Sequence, residues 1–291
     1  CQKGTSGQER GRGAGVVGEG KQRLDVWLVQ KGYFASREKA RVAIMAGQVR
    51  VDGHPVDKPG KLVGPEAKIE VVGSLPYVSR GGLKLEKAIR SFNLDFRDKV
   101  VLDVGASTGG FTDCALQHGA RLVLAVDVGY GQLAWKLRCD PRVVVFERTN
   151  IRHLRAQDLP CLADAAVVDV SFISLAKVLP CLAGLTTEEA FGVALIKPQF
   201  EAGREKVGKR GVVRDPAVHR EVIAAVCRVI KGLGWGIRGL DYSPLTGPEG
   251  NIEFLVCFDR TGKDGVDAFS ALAEVVARAH AALRAGGGEE R

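Results

Sequence analysis

A lysine stands at the end of an apolar segment of this chain. The segment FGVALIKPQFE (Phe191–Glu201) begins as a buried strand does and then presents Lys197, followed by Pro198. Lysine is strongly hydrated and is almost never buried without a partner. A lysine whose pKa is lowered by desolvation or by a second cation can accept a proton from a hydroxyl group. Either the strand ends in water at Lys197, or a site at this strand end needs an amine.

A glycine-rich turn is the second candidate for chemistry. DVGASTGG (Asp103–Gly110) follows an apolar run, and its glycines permit a tight turn with a close approach of the backbone to a ligand. Asp127 ends the next apolar run, where a carboxylate can bind ribose hydroxyls. The turn is neither G-x-G-x-x-G nor a P-loop. A plain strand-to-helix turn also explains it, but together with Asp127 it favours an adenosine-type cofactor.

Alternating strands and helices must position these residues. From residue 99 on, seven apolar segments predict strands: KVVLDVGAS, RLVLAVDV, RVVVFERT, DAAVVDVSFIS, FGVALIKP, WGIRGLDYSPL and NIEFLVCFDR. The segments GFTDCALQHGA and LAKVLPCLAGL and residues 215–234 and 266–285 predict helices. This alternation predicts an α/β fold with a doubly wound parallel sheet, on which ligands bind beyond the carboxyl ends of the strands.

The first third of the chain carries the whole excess of positive charge. Residues 1–90 contain 17 Lys and Arg against 9 Asp and Glu, whereas residues 91–291 contain 25 of each. This asymmetry indicates a polyanion-binding segment attached to a neutral remainder, although a basic surface kept for solubility has the same composition. Residues 1–20 are rich in glycine and polar groups, lack the apolar centre of a signal peptide, and are predicted to be a disordered tail.

Two helices and a hairpin are predicted after this tail. Ser36 is placed to cap the second helix, and Asp52-Gly53 in QVRVDGHPV is typical of a tight hairpin turn. Helical spacing predicts two apolar sides, formed by Leu24, Trp27 and Leu28 and by Ala40, Ile44 and Met45.

The stretch RLDVWLVQKGYFASREKARVAIMAGQVRVDG resembles the small RNA-binding module of the S4 type, over residues 21–72. In that family the second helix and the following hairpin meet the RNA backbone. Clustered Arg and Lys neutralise phosphates and release counterions, which gives the resemblance a physical basis. It implies RNA contacts at Arg23, Ser36, Arg37, Lys39, Arg41 and Arg50. Arg80, the arginine of SRGG, is a further candidate for RNA contact. For any one of these residues a solvated surface charge is the plainer explanation, so the cluster is better evidence than its members.

The turn DVGASTGGFT resembles the S-adenosylmethionine loop of class I, Rossmann-like methyltransferases, and especially of the FtsJ-like ribose methyltransferases. The resemblance implies S-adenosylmethionine as the cofactor and no metal. The implied cofactor-binding residues are Asp103, Gly105, Ala106, Ser107, Thr108, Gly109, Gly110, Phe111, Asp127 and Asn150. Asn150 is included because ERTNIRHL lacks the acidic residue often found near the adenine.

FtsJ-like enzymes use a Lys-Asp-Lys-Glu tetrad around the attacking ribose 2′-hydroxyl. The same order occurs here in SRGGLKL, VVDVSFIS, LIKPQFE and GNIEFLV, as Lys84, Asp169, Lys197 and Glu253. The resemblance implies that Lys197 accepts the proton or holds the hydroxyl, that Asp169 orients Lys197, and that the other two residues position the group. Which lysine loses its proton stays open.

With SRGG, DVSFISL and KPQFE, the whole of residues 21–285 resembles the TlyA family, which carries a haemolysin name and methylates ribosomal RNA at ribose 2′-oxygens. This resemblance implies a cytidine target in ribosomal RNA. Scattered cysteines and the absence of any run of about 18 apolar residues predict a cytoplasmic location and no membrane association. The resemblance predicts five segments: tail 1–20, S4-type domain 21–73, linker 74–80, methyltransferase domain 81–286 and tail 287–291. The linker has LPYV where some members carry Arg-x-Trp-Val, so a linker role in cofactor affinity is not implied.

Other chemistries fit the sequence less well. DVSF stands where amino-group methyltransferases carry [DN]-P-P-[YFW], and Cys161 and Cys181 do not occupy the position of a cytosine carbon-5 nucleophile. Seven cysteines are scattered without a CxxC pair, which argues against a zinc site and fits a reducing compartment. Three alternatives remain: a non-catalytic RNA-binding factor in ribosome assembly, a membrane-lysing haemolysin, and a pseudouridine synthase. The last is disfavoured because the RLD triplet, Arg23–Asp25, lies in the S4-like segment and not in a catalytic body.

Overall fold

Residues 20–34, 36–71 and 76–284 are described by the structure, which is a computed structural model. The predicted tails 1–20 (apart from Gly20) and 287–291 and the start of the predicted linker lie outside the described residues. The chain divides into two compact units, Cys1–Gly73 and Ser74–Arg291. They are called the N-terminal unit and the C-terminal unit below.

Two helices and five short strands make up the described part of the N-terminal unit. They share one apolar core that includes Leu24, Leu28, Ile44 and Val49. Strand β1 pairs antiparallel with β4, and β2 lies between β3 and β5. The bounds are β1 Gln22–Arg23, α1 Leu24–Gln30, α2 Arg37–Met45, β2 Val49–Val51, β3 His54–Val56, β4 Leu62–Val63 and β5 Ile69–Val71.

The local signals in this unit are confirmed with one exception. The Ser36 hydroxyl caps α2 by accepting a hydrogen bond from the Lys39 amide at 3.3 Å. Asp52 and Gly53 both have left-handed φ angles, 54° and 78°, as the tight turn between β2 and β3 requires. Met45 was wrongly assigned to the apolar side, since it is 52% exposed. Ala40, Ala43 and Ile44 form the buried stripe, and Met45 lies a further 100° around the helix.

Seven strands and seven α-helices make up the described part of the C-terminal unit. Short 3₁₀ turns follow β8, β9 and α7. The bounds are α3 Gly81–Phe92, β6 Val100–Val104, α4 Gly110–Gln117, β7 Leu122–Val126, α5 Trp135–Arg138, β8 Val143–Phe146, β9 Ala163–Val168, α6 Leu179–Leu182, β10 Thr186–Ile196, α7 Pro198–Glu201, α8 Pro216–Gly232, β11 Gly236–Tyr242, β12 Phe254–Asp259 and α9 Ala268–Arg284.

The seven strands form one sheet with the order β11-β12-β10-β9-β6-β7-β8. Strands β6 to β10 pair in parallel, and β12 runs antiparallel to both β10 and β11. The chain moves from β6 outward to β8 and then returns to place β9 on the other side of β6. The predicted doubly wound α/β sheet is therefore confirmed, but the prediction that it is parallel throughout is wrong for β12. The switch point lies between the carboxyl ends of β6 and β9.

Both faces of the sheet are covered, because its strands are apolar at successive positions. In β10, Ala194 and Ile196 belong to one core cluster with α8 and α9, whereas Val193 and Leu195 belong to a second cluster with α3 and α4. This period of two is the geometry of a strand buried on both sides. No helix among the described residues is long and apolar enough to cross a membrane.

One helical prediction needs correction, and one long helix was not predicted. The segment LAKVLPCLAGL forms a 3₁₀ turn at Leu175–Lys177 and the single turn α6, because the proline cannot donate a backbone hydrogen bond. Helix α3 was not predicted, although it carries Lys84. Gly81 and Gly82 at its start weaken the local helix signal, and its packing against α4 supplies the stability.

Candidate active site

The switch point brings the glycine-rich turn and Asp169 together. The Asp169 amide donates a hydrogen bond to the Val104 carbonyl at 2.9 Å, across the ends of β9 and β6. Gly105 has φ +89°, and a Cβ atom there would lie 2.4 Å from the Asp169 carbonyl oxygen. A side chain at Gly105 would therefore force apart the two strand ends that form the site.

A cavity of about 400 Å³ opens at this point. Four of the predicted cofactor residues line it: Gly105, Ser107, Asp127 and Asn150. The Asp127 carboxylate accepts hydrogen bonds from the Ser107 amide at 2.8 Å and from the Gly129 amide at 2.6 Å. Each carboxylate oxygen has a second lone pair, so Asp127 can still accept from a ligand. The wall also contains residues that were not predicted, namely Val128, Gln132, Thr149, Ile151, Val170 and Ser171.

Six predicted cofactor residues do not line this cavity. Asp103 is fully buried below the turn, where one carboxylate oxygen accepts a hydrogen bond from the Thr112 hydroxyl at 2.6 Å. Burial, with smaller contributions from Asp169 and Asp127, raises the pKa of Asp103 to about 7. Gly109 takes a left-handed φ of 95° immediately before α4. The others are Ala106, Thr108, Gly110 and Phe111, of which Phe111 belongs to the core on the α3 and α4 side.

The four predicted tetrad residues form two lysine–carboxylate pairs. Lys84 Nζ on α3 lies 2.5 Å from Glu253 Oε2, and their side chains are only 11% and 1% exposed. Lys197 Nζ lies 2.6 Å from Asp169 Oδ1 and donates a hydrogen bond to the Ser171 hydroxyl at 2.9 Å. Sequence reasoning did not assign Ser171, although the residue stands in the DVSFISL segment.

The two pairs interact with each other. Burial raises the pKa of Glu253; Lys84 and, more weakly, Lys197 oppose the rise, whereas the Asp169 charge adds to it. Two cations and two carboxylates therefore share one largely covered site, in which electrostatic interactions are stronger than in water. Such a site can hold a hydroxyl group and stabilise charge that develops on its oxygen.

Six of the seven predicted RNA contacts lie in the N-terminal unit, and one of them, Ser36, caps α2 through its hydroxyl. Arg23 and Arg37 both pair with Asp25, whose side chain is fully buried, at 2.9 and 3.1 Å. Lys39, Arg41 and Arg50 are exposed. In the C-terminal unit, Arg80 donates a hydrogen bond to the Thr246 carbonyl at 3.3 Å. Among the residues that the structure describes, no group of three or more His, Cys, Asp or Glu side chains is arranged to hold a metal ion.

Comparisons with known proteins agree with both units. The family model described as FtsJ-like methyltransferase matches residues 77–260, and the S4 domain model matches residues 22–69. Bacillus subtilis YqxC, provisionally named as an rRNA methyltransferase, is 53% identical over 238 residues, which are 81% of this chain and 85% of that protein.

Two further relatives span almost their full lengths. The Mycobacterium tuberculosis protein named 16S/23S rRNA (cytidine-2′-O)-methyltransferase TlyA is 46% identical over 259 residues, which are 88% of this chain and 96% of that protein. A solved structure from Streptococcus thermophilus, provisionally described as a hemolysin, has a TM-score of 0.74 and 45% identity, and the match covers 93% of this chain and all of that one. This chain therefore belongs to the TlyA family, in which an S4 domain is combined with an FtsJ-like methyltransferase domain.

Proposed function

We propose that this protein transfers the methyl group of S-adenosylmethionine to the 2′-hydroxyl of a cytidine ribose in ribosomal RNA. The observation that carries the proposal is the pair of covered lysine–carboxylate contacts, Lys84–Glu253 and Lys197–Asp169, beside a cavity at the switch point of the sheet. The name of the Mycobacterium tuberculosis relative supports the same reaction and the same nucleotide.

The residues around the cavity fit S-adenosylmethionine. Asp127 is placed to accept hydrogen bonds from ribose hydroxyls, and Asn150 and Ile151 lie in the wall where an adenine would pack. Asp103, buried beneath the turn, supports it instead of contacting the ligand. The turn needs glycine at position 105 because a Cβ atom there would meet the Asp169 backbone.

The reaction requires a positioned hydroxyl, because a ribose hydroxyl is a weak nucleophile. The bound cofactor supplies an electrophilic methyl group. Lys197 contacts the 2′-oxygen, either accepting its proton or holding it in line, and Asp169 and Ser171 fix the direction of the amine. Lys84 and Glu253 form the second ion pair, whose fixed charges stabilise charge that develops at the reacting oxygen. The exclusion of water by the surrounding walls strengthens each of these contacts.

The N-terminal unit supplies RNA affinity in this proposal. Exposed cations on α2 and β2, Lys39, Arg41 and Arg50, bind phosphates without reading sequence. We assign the S4-type domain to residues 21–73, the linker to 74–80 and the methyltransferase domain to 81–286. Because the substrate is ribosomal RNA, we place the protein in the cytoplasm.

Methyl transfer to ribosomal subunits tests the proposal. Purified protein is incubated with labelled S-adenosylmethionine and each subunit, and the labelled RNA is then hydrolysed with alkali. We expect the label in an alkali-resistant dinucleotide that contains cytidine, since a 2′-O-methyl group blocks cleavage at its own phosphodiester bond. Lys197→Ala should abolish transfer while calorimetry still detects cofactor binding. Lys231→Ala is the matched control, since it removes an exposed lysine that pairs with Asp264 at 2.5 Å.

Other outcomes would identify the alternatives. Cofactor binding without transfer to either subunit would contradict the substrate, and no cofactor binding would favour a non-catalytic RNA-binding factor. Release of dye from liposomes by the pure protein would favour the lytic activity that the Streptococcus thermophilus description names. An alkali-sensitive labelled nucleotide would place the methyl group on a base and contradict ribose methylation.

A further inference from the structure

Two segments that follow neighbouring strands enclose the Lys197 amine. Residues 169–175 follow β9 and contribute Asp169, Val170, Ser171 and other side chains to the cavity wall. Residues 197–201 follow β10 and comprise Lys197 and α7. The position of the amine relative to its partners therefore depends on how these two segments are joined.

At the proposed reaction site, the two segments meet through Lys197, which contacts Asp169 and Ser171. Beyond it, the Phe200 ring on α7 packs against the Phe172 ring with centroids 4.9 Å apart. Phe172 is 90% exposed and has a left-handed φ of 62°, which is unfavourable for a side chain of this size. The backbone at Phe172 thus holds its conformation only while the surrounding contacts hold it there.

Glu201, at the end of α7, makes a further contact between the two segments. One carboxylate oxygen accepts a hydrogen bond from the Leu175 amide and the other accepts one from the Ser174 hydroxyl, both at 2.7 Å. Ser174 in turn accepts a hydrogen bond from the Ala176 amide and so caps the 3₁₀ turn Leu175–Lys177. Burial raises the pKa of Glu201, and these two donors oppose that rise.

The ends of segment 169–175 are fixed by different elements. Asp169 is tied to β6 through the Val104 carbonyl, whereas Ser174 and Leu175 are tied to α7 by Glu201. Glu201 lies one helical turn after Lys197, so a carboxylate that holds the loop end also holds the loop against the segment that carries the amine. Hydrogen bonds to an ionised carboxylate are of the stronger, charge-assisted kind.

We propose that Glu201 is a positioning residue for methyl transfer: by joining Ser174 and Leu175 to α7, it holds Asp169 and Ser171 at the distances from Lys197 that the reaction needs. The proposal rests on the function proposed above. Glu201 does not touch substrate or cofactor in this scheme, and its effect on the rate passes through the Lys197 contacts.

The test compares Glu201→Ala, Ser174→Ala and their double variant in the full-length protein. Glu189→Ala is the control, since it removes an exposed carboxylate from β10. Single-turnover methyl transfer is measured with saturating S-adenosylmethionine and ribosomal subunits, alongside cofactor affinity, the KM for subunits and the melting temperature. We expect Glu201→Ala to lower the rate by about 10- to 100-fold, because small misplacements of reacting groups have effects of that order.

The other variants distinguish positioning from mere structure. Ser174→Ala should lower the rate by only about two- to fivefold, since the Leu175 amide still meets Glu201, and the double variant should be no slower than Glu201→Ala alone. Cofactor affinity and KM should stay within about threefold of wild type. A rate for Glu201→Ala within twofold of wild type would overturn the proposal, as would losses in the double variant that multiply independently.

Hydrogen exchange keeps the inference separate from the proposed function. If wild-type protein transfers no methyl group, the proposed function fails, but the hydrogen bonds from Ser174 and Leu175 to Glu201 can still be measured. Exchange of the Leu175 amide should be at least tenfold faster in Glu201→Ala than in wild type or Glu189→Ala, whereas Glu201→Gln keeps an acceptor for this amide and should exchange at an intermediate rate. Unchanged exchange at Leu175 would overturn the positioning role whatever the activity of the wild type.

Discussion

Each unit buries one aspartate completely, and the two units deal with that charge in opposite ways. In the N-terminal unit, Asp25 receives two arginines, and hydrogen bonds from Arg23 lower its pKa to about 2. In the C-terminal unit, Asp103 receives one hydroxyl hydrogen bond, from Thr112, and burial raises its pKa to about 7. The first aspartate is a stable anion, whereas the second is on the border of protonation near neutral pH.

The pairing of these two aspartates decides which side chains of each unit are left to bind ligands. Arg23 and Arg37, which were predicted to contact RNA, also neutralise Asp25 and are about half exposed. The cations Lys39, Arg41 and Arg50 do not neutralise Asp25, and their side chains are exposed to water. In the C-terminal unit the charges of Lys84 and Glu253 are covered and paired. Exposed cations suit sequence-independent binding of phosphate, and covered pairs suit chemistry.

The largest effect is expected where a covered pair is broken. Lys84→Ala leaves Glu253 buried without its nearest cation, and the carboxylate then takes up a proton or draws Lys197 away from Asp169. We expect the single-turnover rate of methyl transfer to fall about 10³-fold, with cofactor affinity within a few-fold of wild type. Arg90→Ala on the same helix is the control, because Arg90 pairs with Glu86 on the exposed side. Equal rates for the two variants would show that the covered pair has no part in the reaction.

The next effect concerns the pH dependence of stability in the C-terminal unit. The folded-state pKa of Asp103, about 7, lies above its unfolded value of 3.8, so the folded state binds the proton more tightly between these values. The free energy of unfolding therefore falls as pH rises through that window and levels off above pH 7. Asp103→Asn lacks this dependence and keeps an acceptor for Thr112. Relative to wild type it should gain about 2–3 kcal/mol between pH 5 and pH 8.

Native-state hydrogen exchange at the β6 amides measures this difference without requiring the whole chain to unfold in one step. Thr112→Val is a second variant for this test, because it removes the hydroxyl that lowers the pKa of Asp103 and should move the transition to higher pH. A constant difference between Asp103→Asn and wild type from pH 5 to pH 8 would show that Asp103 stays ionised throughout.

The N-terminal unit should respond to pH in the opposite sense. The pKa of Asp25 is depressed to about 2, so the stability that it contributes is present above pH 4 and is lost as pH falls through 2. Asp25→Asn should destabilise this unit by about 1–2 kcal/mol at pH 6, because water screens the half-exposed arginines. Hydrogen exchange in α1 and α2 is the measurement, and Glu66→Gln, an exposed carboxylate of the same unit, is the control. A loss that persists unchanged at pH 2 would contradict the charge argument.

The fold was predictable to the extent that it depends on local pattern. Apolar runs of strand length and helical spacing in 215–234 and 266–285 predicted the doubly wound sheet, whereas Lys197 and Asp169 were assigned to one site by the resemblance to FtsJ-like enzymes. Pairing is a different matter. Glu253 meets Lys84 across 169 positions, and Ser171 becomes a partner of Lys197 only through the meeting of two strand ends. No local signal separates Arg23, which is committed to Asp25, from Arg41, which is exposed.

The smallest effect is expected from single exposed cations of the N-terminal unit. Arg41→Ala removes one phosphate contact at most, so affinity for ribosomal RNA should fall about three- to tenfold at low salt. The slope of log affinity against log salt should decrease by about one, and the single-turnover rate at saturating RNA should not change. Filter binding over a range of salt concentrations measures both quantities.

Arg37→Ala is the variant to compare with Arg41→Ala, because both residues lie on α2 but only Arg37 pairs with Asp25. If the comparison between the units holds, Arg37→Ala weakens RNA binding and also speeds hydrogen exchange in α1 and α2, whereas Arg41→Ala weakens binding alone. Arg97→Ala, an exposed arginine of the C-terminal unit, controls for the loss of one positive charge. Equal salt slopes for Arg41→Ala, Arg97→Ala and wild type would remove Arg41 from the RNA contacts, since a lost phosphate contact must release fewer counterions.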